Sequence, residues 1–314
     1  MKIYHGITEV DRAPLGCVAT IGNFDGVYLG HRKIFEQLIS AARVSKGAAT
    51  VITFKPHPQI ALRPEKHVEL LNTYSEKLDI LKAVGIDVVV EEPFSREFSN
   101  TSPEDFVQLY LIGKLDVKTL FLGYDFAFGK ERKGSAALVR ELAQSRGMEV
   151  IEVPPFIYKG EPVSSSRIRR ALDVADIPLA NELLGRPFFV RGVVVKGQGR
   201  GRTIQVPTAN LSLEWRKLPR IGVYATRTKW RDQVHNSVTN VGVSPTFRAA
   251  EEEPNIVVET HILDFQDNVY GHTLDVEFLE FLRPEKKFAG PTELVIQIKL
   301  DIENARAIHA KGLK

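Results

Sequence analysis

The sequence predicts an α/β chain of two domains: an open, doubly wound parallel sheet, then an antiparallel β-barrel covered by a C-terminal helix. Three observations carry this reading. Up to residue 185, short β-branched runs alternate with stretches of helical period. Beyond Phe188 the period falls to two, interrupted by Gly and Pro turns. Between them, residues 179–184 form a helical turn stopped by Gly185 and Pro187, which punctuates the chain. The domains are therefore expected at 1–185 and 186–314. With 314 residues in all, each half can bury its own core. A fragment starting near Gly185 should then keep the second domain's activity.

Taken in order, strand candidates fall at 18–21, 50–54, 87–90, 119–122 and 149–153. Between them, 31–44 places Ile34, Phe35, Leu38 and Ile39 on one helical face, and 103–115 is expected to bury Phe106, Leu109, Tyr110 and Leu111. Parallel strands need crossover helices, so the economical architecture is a doubly wound sheet whose ligands sit at the carboxyl ends of its strands. In the second half, 256–262 puts Val258, Thr260 and Ile262 on one face and Val257, Glu259 and His261 on the other. Residues 272–282 alternate similarly, and short strands of this kind close into an antiparallel barrel. The tail, 291–310, returns to helical spacing through Leu294, Ile298, Ile302 and Ala305, and should cover the barrel.

Composition narrows the class. Apolar residues at 43% and charged residues at 26% describe a globular chain, not a disordered one. Cys17 is the only cysteine, which excludes an internal disulfide or a cysteine-based zinc cluster and fits a reducing compartment. The first residues lack an apolar signal-like run, and nowhere do eighteen apolar residues follow one another, so a cytoplasmic protein without membrane spans is expected. A net charge of +3 suits small anionic ligands and demands no nucleic-acid partner. The sequence does not determine whether the chain forms a homo-oligomer.

Four segments of the first half carry chemistry. Gly22-Asn23-Phe24-Asp25-Gly26-Val27-Tyr28-Leu29-Gly30-His31 follows the first strand candidate and opens the first long helix. Glycines let backbone approach a phosphate, and a helix N-terminus offers unpaired N–H groups. Read alone, the same residues also suit an ordinary turn with a helix-cap histidine. Val163-Ser164-Ser165-Ser166-Arg167-Ile168-Arg169 places hydroxyls and arginines at a helix start, fit for phosphate or for plain capping. Thr53-Phe54-Lys55-Pro56-His57-Pro58 and Gly123-Tyr124-Asp125-Phe126-Ala127-Phe128-Gly129 follow two other strands, where such a sheet presents ligand loops.

In order and spacing these four segments resemble the FMN-adenylyltransferase module of bifunctional riboflavin kinase/FAD synthetases, a nucleotidyltransferase-type, Rossmann-like domain. The resemblance implies that the loop residues Gly22, Asn23, Phe24, Asp25, Gly26, Tyr28, Gly30 and His31 bind ATP, and that Ser164, Ser165, Ser166 and Arg169 grip its phosphates. It also implies that Phe54, Pro56, His57, Pro58, Asp125 and Phe128 lie by the flavin. One departure stands out. The family loop reads His-x-Gly-His, and its first histidine is Tyr28 here, leaving His31 alone as the catalytic histidine.

In the second half, Gly197-Gln198-Gly199-Arg200-Gly201-Arg202 is glycine-rich and basic. Alone it reads as an RNA-binding stretch, a solvated loop or a phosphate nest. Pro207-Thr208-Ala209-Asn210 follows, whose hydroxyl and amide oxygens suit a Mg²⁺ that also holds ATP phosphates. With Asn240-Val241-Gly242, Pro245-Thr246-Phe247, Val258-Glu259-Thr260-His261 and Phe281-Leu282-Arg283-Pro284, the series resembles the riboflavin kinase barrel of the same family. That resemblance implies ATP at Gly197, Gly199, Gly201, Arg202, Thr208 and Asn210, with Mg²⁺ on the last two. Glu259 is then the base at the riboflavin 5′-hydroxyl, and Glu259 and Arg283 lie by the flavin. Gln205 and Ser244 depart from the family's usual glycine and arginine.

The resemblance therefore implies an enzyme that phosphorylates riboflavin to FMN with ATP and adenylylates FMN to FAD, releasing pyrophosphate. Two alternatives stay open on sequence alone: a riboflavin kinase whose adenylyltransferase domain is weakened by Tyr28, and a flavin-sensing RNA-binding regulator using the basic loop.

Overall fold

A computed structural model describes residues 1–11, 13–65, 68–128, 134–144, 146–197, 206–243 and 256–311. The chain divides into two compact units, Met1–Ser164 and Ser165–Lys314.

The first unit is built on a six-stranded parallel sheet. Its strands are β1 (Lys2–Tyr4), β2 (Val18–Ile21), β3 (Ala49–Lys55), β4 (Val88–Pro93), β5 (Thr119–Gly123) and β6 (Glu149–Val153), in the order β1-β4-β3-β2-β5-β6. The five expected strands are present, and edge strand β1 is an addition too short to show a period. β2 is buried along its whole length, as a central parallel strand covered on both faces must be. Helix α1 (Leu29–Val44) buries Ile34, Phe35 and Leu38, and α2 (Tyr74–Val84) opens with a capping box between Thr73 and Glu76. The chain leaves β2 toward β3 and β4, then returns to β5 on β2's other side. Strand order thus reverses at β2, and loops leaving β2 and β5 flank the switch point where such sheets bind ligands.

One expected helix differs in its winding. Residues 103–115 form a short helical turn, Pro103–Asp105, followed by a π-helix, Phe106–Lys114. Wider turns rotate the apolar face. Phe106 and Leu111 are buried, but Leu109 is 58% exposed, against the expectation from 3.6-residue spacing.

The second unit opens with α3 (Ser165–Asp173) and α4 (Ile177–Leu184), then forms a closed antiparallel barrel. Its strands are β7 (Phe188–Val195), β8 (Ala209–Leu213), β9 (Gly222–Trp230), β10 (Gln233–Val243), β11 (Ile256–Ile262) and β12 (Thr273–Arg283), closing in the order β7-β8-β11-β10-β9-β12. Val258, Thr260 and Ile262 face inward, as the alternation predicts. The interior also holds a hydroxyl network, in which Thr226 is bonded to Ser237 and Thr239, and Thr239 donates to Thr260. Helix α5 (Pro291–Ala310) lays Ile302, Ala305 and Ile308 against Val223, Ala225 and Val238 on the outer face.

Packing divides the chain earlier than the 185/186 boundary expected from sequence. The Asn181 amide donates to the Phe278 carbonyl and its oxygen accepts from the Phe188 N–H, while the Arg220 N–H donates to the Leu172 carbonyl. Both helices thus belong to the barrel unit. Ile168, Leu172, Ile177, Leu183 and Leu184 are all buried. At about 1.5–3 kcal/mol for each such side chain, their loss rivals the roughly 5–15 kcal/mol that holds a whole domain folded. A fragment 165–314 should therefore melt cooperatively, and 186–314 should melt at least about 10 °C lower. Equal melting temperatures by circular dichroism would return the boundary to 185.

Candidate functional site

The loop after β2 is held in an unusual backbone path. Phe24, Gly26 and Val27 have φ of 48°, 87° and 42°. Glycine adopts this region freely, but for a β-branched valine it is strained and must be held by its surroundings. Those surroundings come from the segment leading into α2. The Asp25 carboxylate accepts from the Leu71 N–H at 2.8 Å, and the Gly26 N–H donates to the Asn72 side-chain oxygen at 2.7 Å. Lys77 donates to the Asn23 carbonyl at 3.3 Å and to the Thr53 hydroxyl at 2.9 Å. Thr53 in turn donates to the Asn23 carbonyl.

The loop delivers the chain to α1, whose N-cap is Tyr28 without a side-chain capping bond. The Tyr28 ring lies over the His31 ring, centroids 3.7 Å apart, and Phe24 meets His31 edge-on at 5.1 Å. Among the described residues His31 Nδ1 is buried without a hydrogen-bond partner. Burial, reinforced by the charge of Lys77, lowers the His31 imidazole to about 3, so it stays neutral at physiological pH.

The loop after β3 meets the same recess. Asn23, Asp25, Phe54, His57, Leu70, Asn72, Tyr74 and Lys77 line it together. The His57 N–H donates to the Tyr74 hydroxyl at 2.6 Å, and His57 Nδ1 caps the short helix Pro58–Leu62, fixing the Pro56–Pro58 turn. The loop after β5 behaves otherwise. Asp125 is exposed, and Phe128 turns back to stack on Phe126 and pack on Phe106, joining the core of the unit. Ser165, Ser166 and Arg169 lie in the first turns of α3, at the start of the second unit, with Ser164 just before the division.

In the barrel, register places Asn210, Glu259 and Asn240 side by side across β8, β11 and β10. Facing residues in antiparallel pairs project from the same side. Glu259 is therefore flanked by two amides on the outer face, opposite the Val258, Thr260 and Ile262 side. The row continues through Val223 to Arg283 on β12. A side chain at Gly197 would collide with the Asn210 amide, so that glycine permits the close approach. The Pro207 carbonyl is hydrogen-bonded to His261 Nδ1 at 2.7 Å, which anchors the segment carrying Thr208. Gly199, Gly201, Arg202, Gln205, Gly129 and 244–247 lie outside the described residues.

Arg283 is committed within the fold. Its Nε and Nη2 donate to Asp301 of α5, and its Nη1 donates to the Pro284 carbonyl. Among the described residues no cluster of three or more His, Cys, Asp or Glu could hold a metal. A hydroxyl and an amide at Thr208 and Asn210 are neutral oxygen donors. They fit an ion that takes its remaining ligands from phosphates and water.

Sequence alone did not single out Asn72, Tyr74 and Lys77, which line the recess. The available signal was the Thr73–Glu76 capping box, which marks the start of the helix carrying Tyr74 and Lys77, with Asn72 just before it.

Residues 10–167 match the FAD synthetase family, and residues 184–309 match the riboflavin kinase family. Among curated relatives, the chain is 33% identical over 311 residues to the bifunctional riboflavin kinase/FMN adenylyltransferase of Listeria monocytogenes, covering 98% of each chain. It is 36% identical over 292 residues to the protein of the same name from Bacillus subtilis, covering 92% of this chain and 91% of that one. The Escherichia coli namesake is 35% identical over 308 residues, covering 98% and 97%. A crystal structure titled macrolide-efflux protein, from Streptococcus pneumoniae, superposes with a TM-score of 0.86 at 31% identity, covering 97% of this chain and 98% of that one. Among the described residues no helix is long and apolar enough to cross a membrane.

Proposed function

The chain belongs to the bifunctional riboflavin kinase/FMN adenylyltransferase family and is an ATP-dependent enzyme of both kinds; we propose that the barrel phosphorylates riboflavin at Glu259 and that the β2 loop serves FMN adenylylation. The observation that carries the kinase assignment is the Asn210–Glu259–Asn240 row. The register sets this carboxylate between two amide side chains on one strand face, a setting suited to a general base. Glu259 takes the proton of the riboflavin 5′-hydroxyl as that oxygen attacks the γ-phosphorus of ATP, and ADP departs. Thr208 and Asn210 would hold Mg²⁺, which neutralises phosphate charge when bound. Gly197, where a side chain would meet the Asn210 amide, is assigned to backbone approach to the phosphates. Arg283 serves the flavin by fixing the segment 283–288 through Asp301.

For adenylyl transfer the nucleophile is the FMN phosphate, whose second pKa of about 6 leaves it largely ionised at neutral pH. No general base is required. The protein's work is to hold that phosphate in line with the α-phosphorus and to stabilise charge there and on departing pyrophosphate. His31 and the N-terminal amides of α1 are assigned this role, which the position of the loop at the start of that helix supports; Ser164, Ser165, Ser166 and Arg169 are assigned the ATP-phosphate role on the family motif alone. The fixed Phe54–Pro58 turn borders the flavin.

The test is a time course with riboflavin and Mg-ATP, resolving riboflavin, FMN and FAD, with FMN supplied separately in a second series. Both products should form, and absence of FAD from supplied FMN would leave a kinase alone. Tyr28 sharpens the second series. Its hydroxyl can donate a hydrogen bond but cannot carry the positive charge available to a histidine. Tyr28→His keeps a flat ring against His31 and adds a titratable donor. It is expected to raise FAD formation at least about tenfold while riboflavin phosphorylation stays unchanged. No gain with histidine, together with full activity in Tyr28→Phe, would reduce Tyr28 to a packing residue.

A further inference from the structure

Lys77 is 4% exposed, an extreme position for an ammonium group. Two of its three N–H donors are used, on the Thr53 hydroxyl and the Asn23 carbonyl. Both acceptors are neutral. Asp25 and Glu91 act on it through space, yet neither forms an ion pair with it among the described residues. The third donor has no hydrogen-bond partner among those residues, and the side chain lines the recess formed by the β2 and β3 loops. A buried cation without a direct counter-ion is costly unless an anion arrives to complete it.

We propose that Lys77 is a phosphate-binding residue of the adenylyltransferase site, its third donor reserved for a phosphate oxygen of FMN or of ATP. The geometry supports this in two ways. Lys77 grips the carbonyl of Asn23, inside the strained loop, so filling its third donor couples phosphate binding to loop position. It also places a fixed positive charge close enough to His31 to act on that imidazole, in the loop where the family's first histidine is absent. Burial brings the Lys77 amine down to about 8, with Glu91 and Asp25 opposing and Lys55 assisting, so a bound anion has room to raise it. Tyr74, flanked by the Lys55 and Lys77 ammonium groups at 5.3 and 5.2 Å, closes one side of this basic corner.

This inference rests on the β2 loop being the adenylyltransferase site, and the experiment separates the two. In the full-length wild-type chain, the lysine Nζ and histidine ring signals are followed by NMR across pH with no ligand, with FMN, with pyrophosphate and with riboflavin. The Lys77 midpoint should rise from about 8 by at least about one unit with a phosphate ligand and stay in place with riboflavin. Shifts in His31 without Lys77 would overturn the lysine assignment and leave the site standing. Shifts in neither would overturn both. In parallel, Lys77→Met should raise KM for FMN or for ATP in FAD formation about ten- to hundredfold, the loss expected for one hydrogen bond to a charged group. The affected substrate identifies whose phosphate is held. A folded Lys77→Met enzyme with both KM values within twofold of wild type would refute the proposal. Where that variant does not fold, the wild-type titration decides alone.

Discussion

Glu259→Gln is expected to lower FMN formation about 10²–10⁴-fold, the usual scale for loss of a general base. The substitution keeps the size of the side chain and the hydrogen-bonding reach of one oxygen, so the amide row with Asn210 and Asn240 should persist. The strand should persist too, because Val258, Thr260 and Ile262 bury its other face and Glu259 takes no part in that core. What is lost is the acceptor for the 5′-hydroxyl proton. Without it the attacking oxygen must shed its proton to water, or attack while still protonated. FAD formation from supplied FMN is the internal comparison, since Glu259 lies outside the unit that carries the β2 loop, and it should stay within about twofold of wild type. Initial rates of both reactions on the same preparation check this. Near-normal kinase turnover in the glutamine variant would remove Glu259 from the chemistry.

The two halves were legible for different physical reasons. Central parallel strands are covered on both faces, so β2, β3 and β5 read as apolar runs between helical stretches. The barrel strands face a core on one side, so β11 reads as alternation and exposes which side Glu259 occupies. Periodicity says nothing of how a helix winds, and the π-turns of 106–114 were hidden for that reason. Nor does it say which neighbour a helix chooses. An apolar stripe on α3 or α4 serves either unit equally well, and only the tertiary bonds of Asn181 and Leu172 assign them to the barrel. The candidate site loops announced themselves through glycine and clustered polar residues. Lys77 did not, because a lysine one turn into an amphipathic helix is ordinarily solvated. Its burial depends on contacts with Asn23 and Thr53, 54 and 24 residues away along the chain.

His31→Leu should lower FAD formation from FMN about 10²–10³-fold, the cost of losing one preorganised donor to developing phosphate charge, with riboflavin phosphorylation unchanged. Leucine fills the space beside Phe24 and Tyr28, so the loop should survive. The pH behaviour distinguishes this donor from a charged histidine. In the free enzyme the imidazole titrates at about 3, far below its ordinary value near 6.5, chiefly through burial and then through Lys77. The kcat/KM profile for adenylylation should therefore show no His31 titration between pH 6 and 8, because that profile reports groups of the free enzyme. Stability follows the same linkage. Between about 3 and 6.5 the unfolded chain binds a proton at this position that the folded chain refuses, so the contribution is complete above 6.5 and declines as pH falls toward 3. The melting temperature of His31→Leu should accordingly fall less than that of wild type between pH 7 and pH 5. If the two fall in parallel and wild-type kcat/KM titrates near 6.5, the imidazole is solvated and charges freely, and the buried neutral donor is wrong.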